Sequence, residues 1–303
     1  MRSKKINVGG QAVIEGVMIR GERSYCVAVR KKNRIIVING KIKKKNALLR
    51  LPVIRGFINL AEMLLIGTKS LVWSAEQVGG SNQKASKNEI SVTILISLII
   101  AVLFFIALPY ALTGLIGFKE ESNPFLFNSI DGIFRITVFL VYLASISFVK
   151  DVRTLFQYHG AEHKAIHCYE HGEKITVKNV RRFTTLHPRC GTSFLIAVFA
   201  LSIMIFSFLP STVIYLFPNF SGLSLLFKKA VLFPLRIALI PIIAGLSYEF
   251  IRITDKKKSS LVFKAISMPG LWLQKITTKE PSIRQIETAI RSLKNLLKLE
   301  NKK

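Results

Sequence analysis

The chain has 303 residues, half of them apolar, and carries 44 Lys and Arg against 17 Asp and Glu, a formal net charge of +27. Apolar bulk and positive charge are segregated into alternating runs, the composition of a membrane protein with basic cytoplasmic loops. No recognition motif accompanies the basic runs, so nucleic acid is not expected as a partner, and three widely spaced cysteines exclude a disulfide framework.

Basic residues open the chain, but Asn7-Val8-Gly9-Gly10 follows where a signal peptide needs an apolar run, so no cleaved signal is expected. Residues 1–51 read as a small β-rich cytoplasmic segment. Gln11 to Met18 and Ser24 to Val29 are apolar-rich and separated by the turn-like Arg20-Gly21-Glu22-Arg23; Arg34 to Ile38 reads as a further strand closed by the turn dipeptide Asn39-Gly40. Lys41 to Lys45 is nearly all basic and suits a bilayer with anionic inner-leaflet headgroups.

Residues 52–78 carry Arg55, Asn59, Glu62, Lys69 and Glu76 at helical spacing among Phe57, Ile58, Leu60, Leu64, Leu65, Leu71 and Trp73. So many charges are costly in hydrocarbon, which predicts an amphipathic helix in the interface or against the bundle, broken by Gly79-Gly80-Ser81-Asn82.

Four runs are long and apolar enough to span: Ile90 to Gly117, Ile130 to Val149, Ser193 to Phe217 and Ala230 to Tyr248. They group as helices 1 and 2 (90–149) and helices 3 and 4 (193–253), with Pro210, Pro234 and Pro241 as tolerable kinks. Positions 1–89, 150–192 and 254–303 carry 18, 8 and 12 Lys or Arg, whereas 118–129 and 218–229 carry 1 and 2. Both termini and the central 150–192 segment are therefore expected on the cytoplasmic side of the membrane. Asp131 and Arg135 are spaced to pair, Arg236 to snorkel, and Glu249 sits at the inner end of the fourth span, either bridged to Arg252 or facing the central segment. The C-terminal segment, 254–303, holds a Trp-bearing patch from Met268 to Lys275. After Pro281 a helix follows, with Ile283, Ile286, Ile290, Leu293 and Leu297 as its apolar stripe.

All five histidines fall between positions 159 and 187, together with Cys168 and Cys190. His159, His163, His167 and His171 recur every four residues; on a helix such a row drifts about 40° per step, so neighbours chelate but all four cannot share an ion. His159 and His163 with Glu162 form His-x-x-Glu-His, the arrangement in which two histidines bind zinc and the carboxylate acts as general base. The further ligands expected are His187 and Cys190, in His187-Pro188-Arg189-Cys190-Gly191. A short helix from Thr176 to Leu186, capped by Thr176, is expected to bring that turn back. The zinc set is thus His159, His163, His187 and Cys190, and Glu162 is the catalytic candidate. All four ligands together would make a closed structural shell, whereas release of His187 or Cys190 would leave a position for water.

Several stretches carry a family resemblance: Gly9 to Met18, Tyr158 to Lys164, Leu186 to Phe194, Ala244 to Arg252 and Pro269 to Gln274. In these the chain resembles the YqhQ-type bacterial membrane proteins over nearly its whole length. The resemblance implies membrane location and a metal-dependent enzyme of unknown reaction. It also points to Gln11, Glu15 and Glu249 as residues belonging with the site; His167, from the histidine row, is a further candidate for its surround.

The expectation is an α-helical polytopic membrane protein of about four transmembrane helices with a small β-containing cytoplasmic N-terminal segment. Its expected function is zinc-dependent hydrolysis at the cytoplasmic membrane face. The alternative is a non-enzymatic docking protein, with a partner not specified by the sequence, whose loop is held by structural zinc. Transport is disfavoured because the spans lack an internal ladder of ionisable residues.

Overall fold

A computed structural model describes residues 6–43, 46, 49, 51–79, 86–118, 122–188, 190–256 and 261–301. The basic residues 1–5 and 44–45, the break at 80–82 and Arg189 of the His187 turn lie outside the described residues.

The N-terminal segment is an antiparallel meander of β1 (Gly9–Val13), β2 (Gly16–Arg20), β3 (Ser24–Lys31) and β4 (Arg34–Lys41), in that order across the sheet. The Arg20 to Arg23 turn joins β2 to β3 as expected. Two readings are corrected. Gln11 to Met18 is two strands folded back at Ile14 and Glu15, with Glu15 at φ 50°, a conformation that costs a non-glycine residue and gives no compositional signal. Asn39-Gly40 is no turn but part of β4, where Gly40 lies opposite Tyr25 and leaves room for its ring.

The sheet is covered on both faces, and alternation along the strands decides which residue faces what. Val17, Ile19 and Cys26 pack toward α5 (Lys150–His171) and α10 (Ile283–Asn301). Val13, Met18, Val27 and Val29 pack toward Met63, Ile66 and Trp73 of α1 (Ile54–Gly79). The α10 stripe buries Ile286, Ile290 and Leu293 as expected, but Ile283 is exposed and Leu296 is buried in addition.

Among the described residues, four segments are long and apolar enough to cross a membrane. The first is α2 (Lys87–Val102) running through a π-helical turn, Leu103–Ala107, into α3 (Leu108–Leu115). The others are α4 (Pro124–Ile146), α7 (Gly191–Leu216) and α8 (Leu225–Lys256). Helix α4 packs on α7, α7 on α8, and α8 on α1. In the last contact Gly56 meets Gly245, where an added Cβ would lie 2.8 Å from the Gly245 carbonyl oxygen. So α1 lies against both the bundle and the sheet, tied to them by Arg55 to Glu249 and Arg20 to Glu62 ion pairs. Asp131 and Arg135 pair at 2.7 Å. Arg236 does not snorkel: it is buried between helices and donates to Asn128 at 3.1 Å.

The central segment is mostly helix. Its α6 (Val177–Arg181) is shorter than expected, although Thr176 caps it and Val180 is buried. Met268 to Lys275 belongs to α9 (Leu261–Thr277), with Trp272 exposed and Gln274 fully buried.

Candidate metal centre

Helix α5 brings the histidine row to the junction of sheet and bundle. It ends at Gly172, a left-handed C-cap with φ 78°, as helices commonly end. Gly160 gives it close access to the segment after α9, since a Cβ there would collide with the Lys279 carbonyl oxygen, and Lys279 N–H donates to the Phe156 carbonyl at 2.9 Å. That approach delivers the Thr277 carbonyl to His159. On the other flank, buried Lys164 donates to Glu280 at 2.6 Å and to the Arg181 carbonyl at 3.2 Å, tying α5 to α6.

Carbonyl oxygens only accept, so they fix the histidine tautomers. His159 Nδ1–H donates to Thr277 O at 2.8 Å and His163 Nδ1–H to Thr185 O at 2.5 Å. Each ring then keeps its lone pair on Nε2, the arrangement that metal-ligating histidines use. Nε2 of His159 lies 3.3 Å from Cys190 Sγ, and Cys190 also reaches His163. The donor atoms of His159, His163 and Cys190 all lie within 4.8 Å of one another. Burial holds His163 neutral by lowering its pKa, which keeps it a ligand rather than a cation.

Beside this set lies Glu162, 3% exposed, with one oxygen that has no hydrogen-bond partner among the described residues. Its other contact is the backbone of Gly10, where a Cβ would sit 3.1 Å from the carboxylate and collide with the Met18 carbonyl. Burial, opposed by His159 and reinforced by Cys190, pushes the carboxyl up to about 8.

His187 belongs elsewhere. Its ring nitrogen lies 3.3 Å from Glu170 Oε2, and its donor atom groups with those of His167 and Glu170 rather than with the Cys190 set. Its backbone is clamped by Gln274, which accepts from His187 N–H at 2.7 Å and donates to His187 O at 2.9 Å. His171 is turned back onto its own helix at His167 O. The residues grouped around the site by resemblance are held outside the donor sets. Gln11 faces Gly67 of α1, Glu15 accepts from Tyr158 at 3.0 Å, and Glu249 accepts from Arg55 at 2.6 Å.

The donor set fits zinc. Two imidazole nitrogens and a cysteine sulfur suit that ion, and ligand atoms around tetrahedral zinc lie about 3.3–3.6 Å apart. Sequence reasoning missed Gly10, Glu170, Gln274 and the carbonyls of Thr185 and Thr277. Glu170, three residues after His167, and Gln274, a lone amide in an apolar helix, left some trace; the carbonyls left none.

Residues 51–299 match the family described as "Protein of unknown function (DUF1385)". A Bacillus subtilis (strain 168) relative, described as "Uncharacterized protein YqhQ", is 33% identical over 309 residues, covering 96% of this chain and 92% of its own. The chain belongs to this family. The family match starts after β4, so the sheet that supplies Gly10 lies outside it, whereas the likeness to the YqhQ protein covers nearly the whole chain. No solved structure matches the chain.

Proposed function

We propose that this member of the YqhQ-type family is an integral membrane, metal-dependent hydrolase acting at the cytoplasmic face of a bacterial membrane. The observation that carries the reading is the grouping of three donor atoms, from His159, His163 and Cys190, within 4.8 Å of one another beside a carboxylate oxygen that has no hydrogen-bond partner among the described residues. Three protein ligands leave a position for water or substrate, as catalytic zinc sites do. A docking protein with structural zinc is expected to close the shell, and the donor that would close it, His187, is held by Glu170.

Zinc, when bound, would polarise a carbonyl or phosphoryl oxygen and make water more acidic. The carbonyls of Thr277 and Thr185 orient the two imidazoles and fix their tautomers. Glu162, whose buried carboxylate stands beside the donor set, takes the proton of the attacking water and returns it to the leaving group. The buried surround of Ala161, Tyr158 and Cys190 limits competing water. Membrane placement is supported by the four apolar helices, whose exposed Val92, Leu95, Leu98, Leu226 and Phe227 would meet lipid. Orientation is supported by the basic 1–89, 150–192 and 254–303 segments, which also suit anionic headgroups.

The test is Glu162→Gln. With zinc content unchanged, the variant should fail to complement a deletion strain. Full complementation would end the hydrolase reading.

A further inference from the structure

We infer that His167, Glu170 and His187 form a second divalent-cation site, separate from the Cys190 set and built of two nitrogens and one oxygen. It stands on different donors, so it survives or falls apart from the hydrolase reading.

Three features support it. First, the donors come from two elements that the fold forces together. His167 and Glu170, three apart, share a face of α5, and His187 stands in the turn before α7, held at both its N–H and its carbonyl by Gln274. Second, the donor atoms of all three lie within 4.8 Å of one another, and the His187–Glu170 separation, 3.3 Å, falls among ligand–ligand distances of about 3.3–3.6 Å around a small divalent ion. Third, the His167 tautomer is fixed. Its Nε2–H donates to Leu186 O at 2.8 Å, leaving the lone pair on Nδ1. A plain histidine–carboxylate pair needs two residues. Here a third, with its ring 4.5 Å from that of His187, joins the same cluster.

The chemistry differs from that of the first set. Without a thiolate, an N2O set takes zinc, manganese, cobalt or iron(II) rather than favouring soft ions. Glu170 and His167 are half-buried, while His187 is buried, so the site opens to one side. The two sites are neighbours: the His163 and His187 rings are 5.6 Å apart, and His187 and Cys190 occupy one turn. A cation on the second site therefore pins the turn that presents Cys190 to the first.

The test is elemental analysis of the full-length protein in detergent, loaded with zinc and desalted. Wild type should hold about two ions per chain, and Glu170→Gln and the His167→Ala, Glu170→Gln double variant about one. A Cys190→Ser, His163→Ala variant should also hold about one. Folding of Glu170→Gln is checked by cobalt loading: its sulfur-to-cobalt charge-transfer band, which reports the Cys190 set, should persist. Wild-type metal content in the double variant overturns the second site and leaves the first intact. Loss of metal from the double variant but not from the Cys190 variant overturns the first and leaves the second. A metal-free wild type overturns both.

Discussion

The sulfur of Cys190 lies 3.3 Å from Nε2 of His159, across a sequence separation of 31 residues, and joins the cap of α7 to α5. Among the described residues it is the one cysteine grouped with other metal donors. Burial pushes the Cys26 thiol up to about 11 and raises that of Cys168 as well, so neither forms the reactive thiolate readily. Alkylation after chelator treatment should therefore label Cys190 first and Cys26 least, and zinc should slow the Cys190 reaction. Peptide mass spectrometry reads this; equal labelling with and without zinc contradicts it.

Glu162 gives a pH signature in the metal-free protein. Its carboxyl moves from an ordinary 4.5 to about 8 on folding. Between those values the folded state binds the extra proton, so stability falls as pH rises. In chelator, the melting temperature of wild type should drop relative to Glu162→Gln as pH increases through that window. Parallel curves for the two proteins would show that the carboxyl is not perturbed.

Gly10 is the closest approach of the sheet to the site. Gly10→Ala places a methyl against the Met18 carbonyl and 3.1 Å from Glu162, whereas a Cβ at Gly9 would meet nothing within 4 Å among the described residues. Overpacking of this kind costs about 1–3 kcal/mol. Gly10→Ala should lower the melting temperature and Gly9→Ala should leave it nearly unchanged; calorimetry that finds the two alike refutes the contact.

Gln274 holds the His187 turn by its amide, donating through Nε2 and accepting through Oε1. Glu at this position would set a carboxylate oxygen against the His187 carbonyl, so both Gln274→Ala and Gln274→Glu should weaken zinc binding. The expected loss is about tenfold or more, within the range for outer-shell partners. Competition against a chromophoric chelator measures it, and unchanged affinity in both variants removes Gln274 from the site.

Length and hydropathy made the four apolar helices legible, because a 20-residue apolar run has few other uses. Helical spacing likewise separated His159 and His163 from His171. The hairpin at Ile14 and Glu15 was hidden because its strained φ falls on a glutamate, and Asn39-Gly40 misled because the glycine there makes room for Tyr25. The partition of His187 from Cys190 was not legible either. It depends on where a turn settles against a helix about 20 residues earlier, through a glutamine 87 residues later. Hydrogen bonding by the Thr185 and Thr277 carbonyls is a backbone property that any residue type supplies.

The central claim, that His159, His163 and Cys190 hold one metal ion, is tested most directly by the spectrum of the cobalt-loaded protein. A near-ultraviolet sulfur-to-cobalt charge-transfer band is expected in wild type and should vanish in Cys190→Ser. The same band should weaken in His159→Ala. A wild-type spectrum without the band, or a band that survives loss of the Cys190 sulfur, would contradict the account.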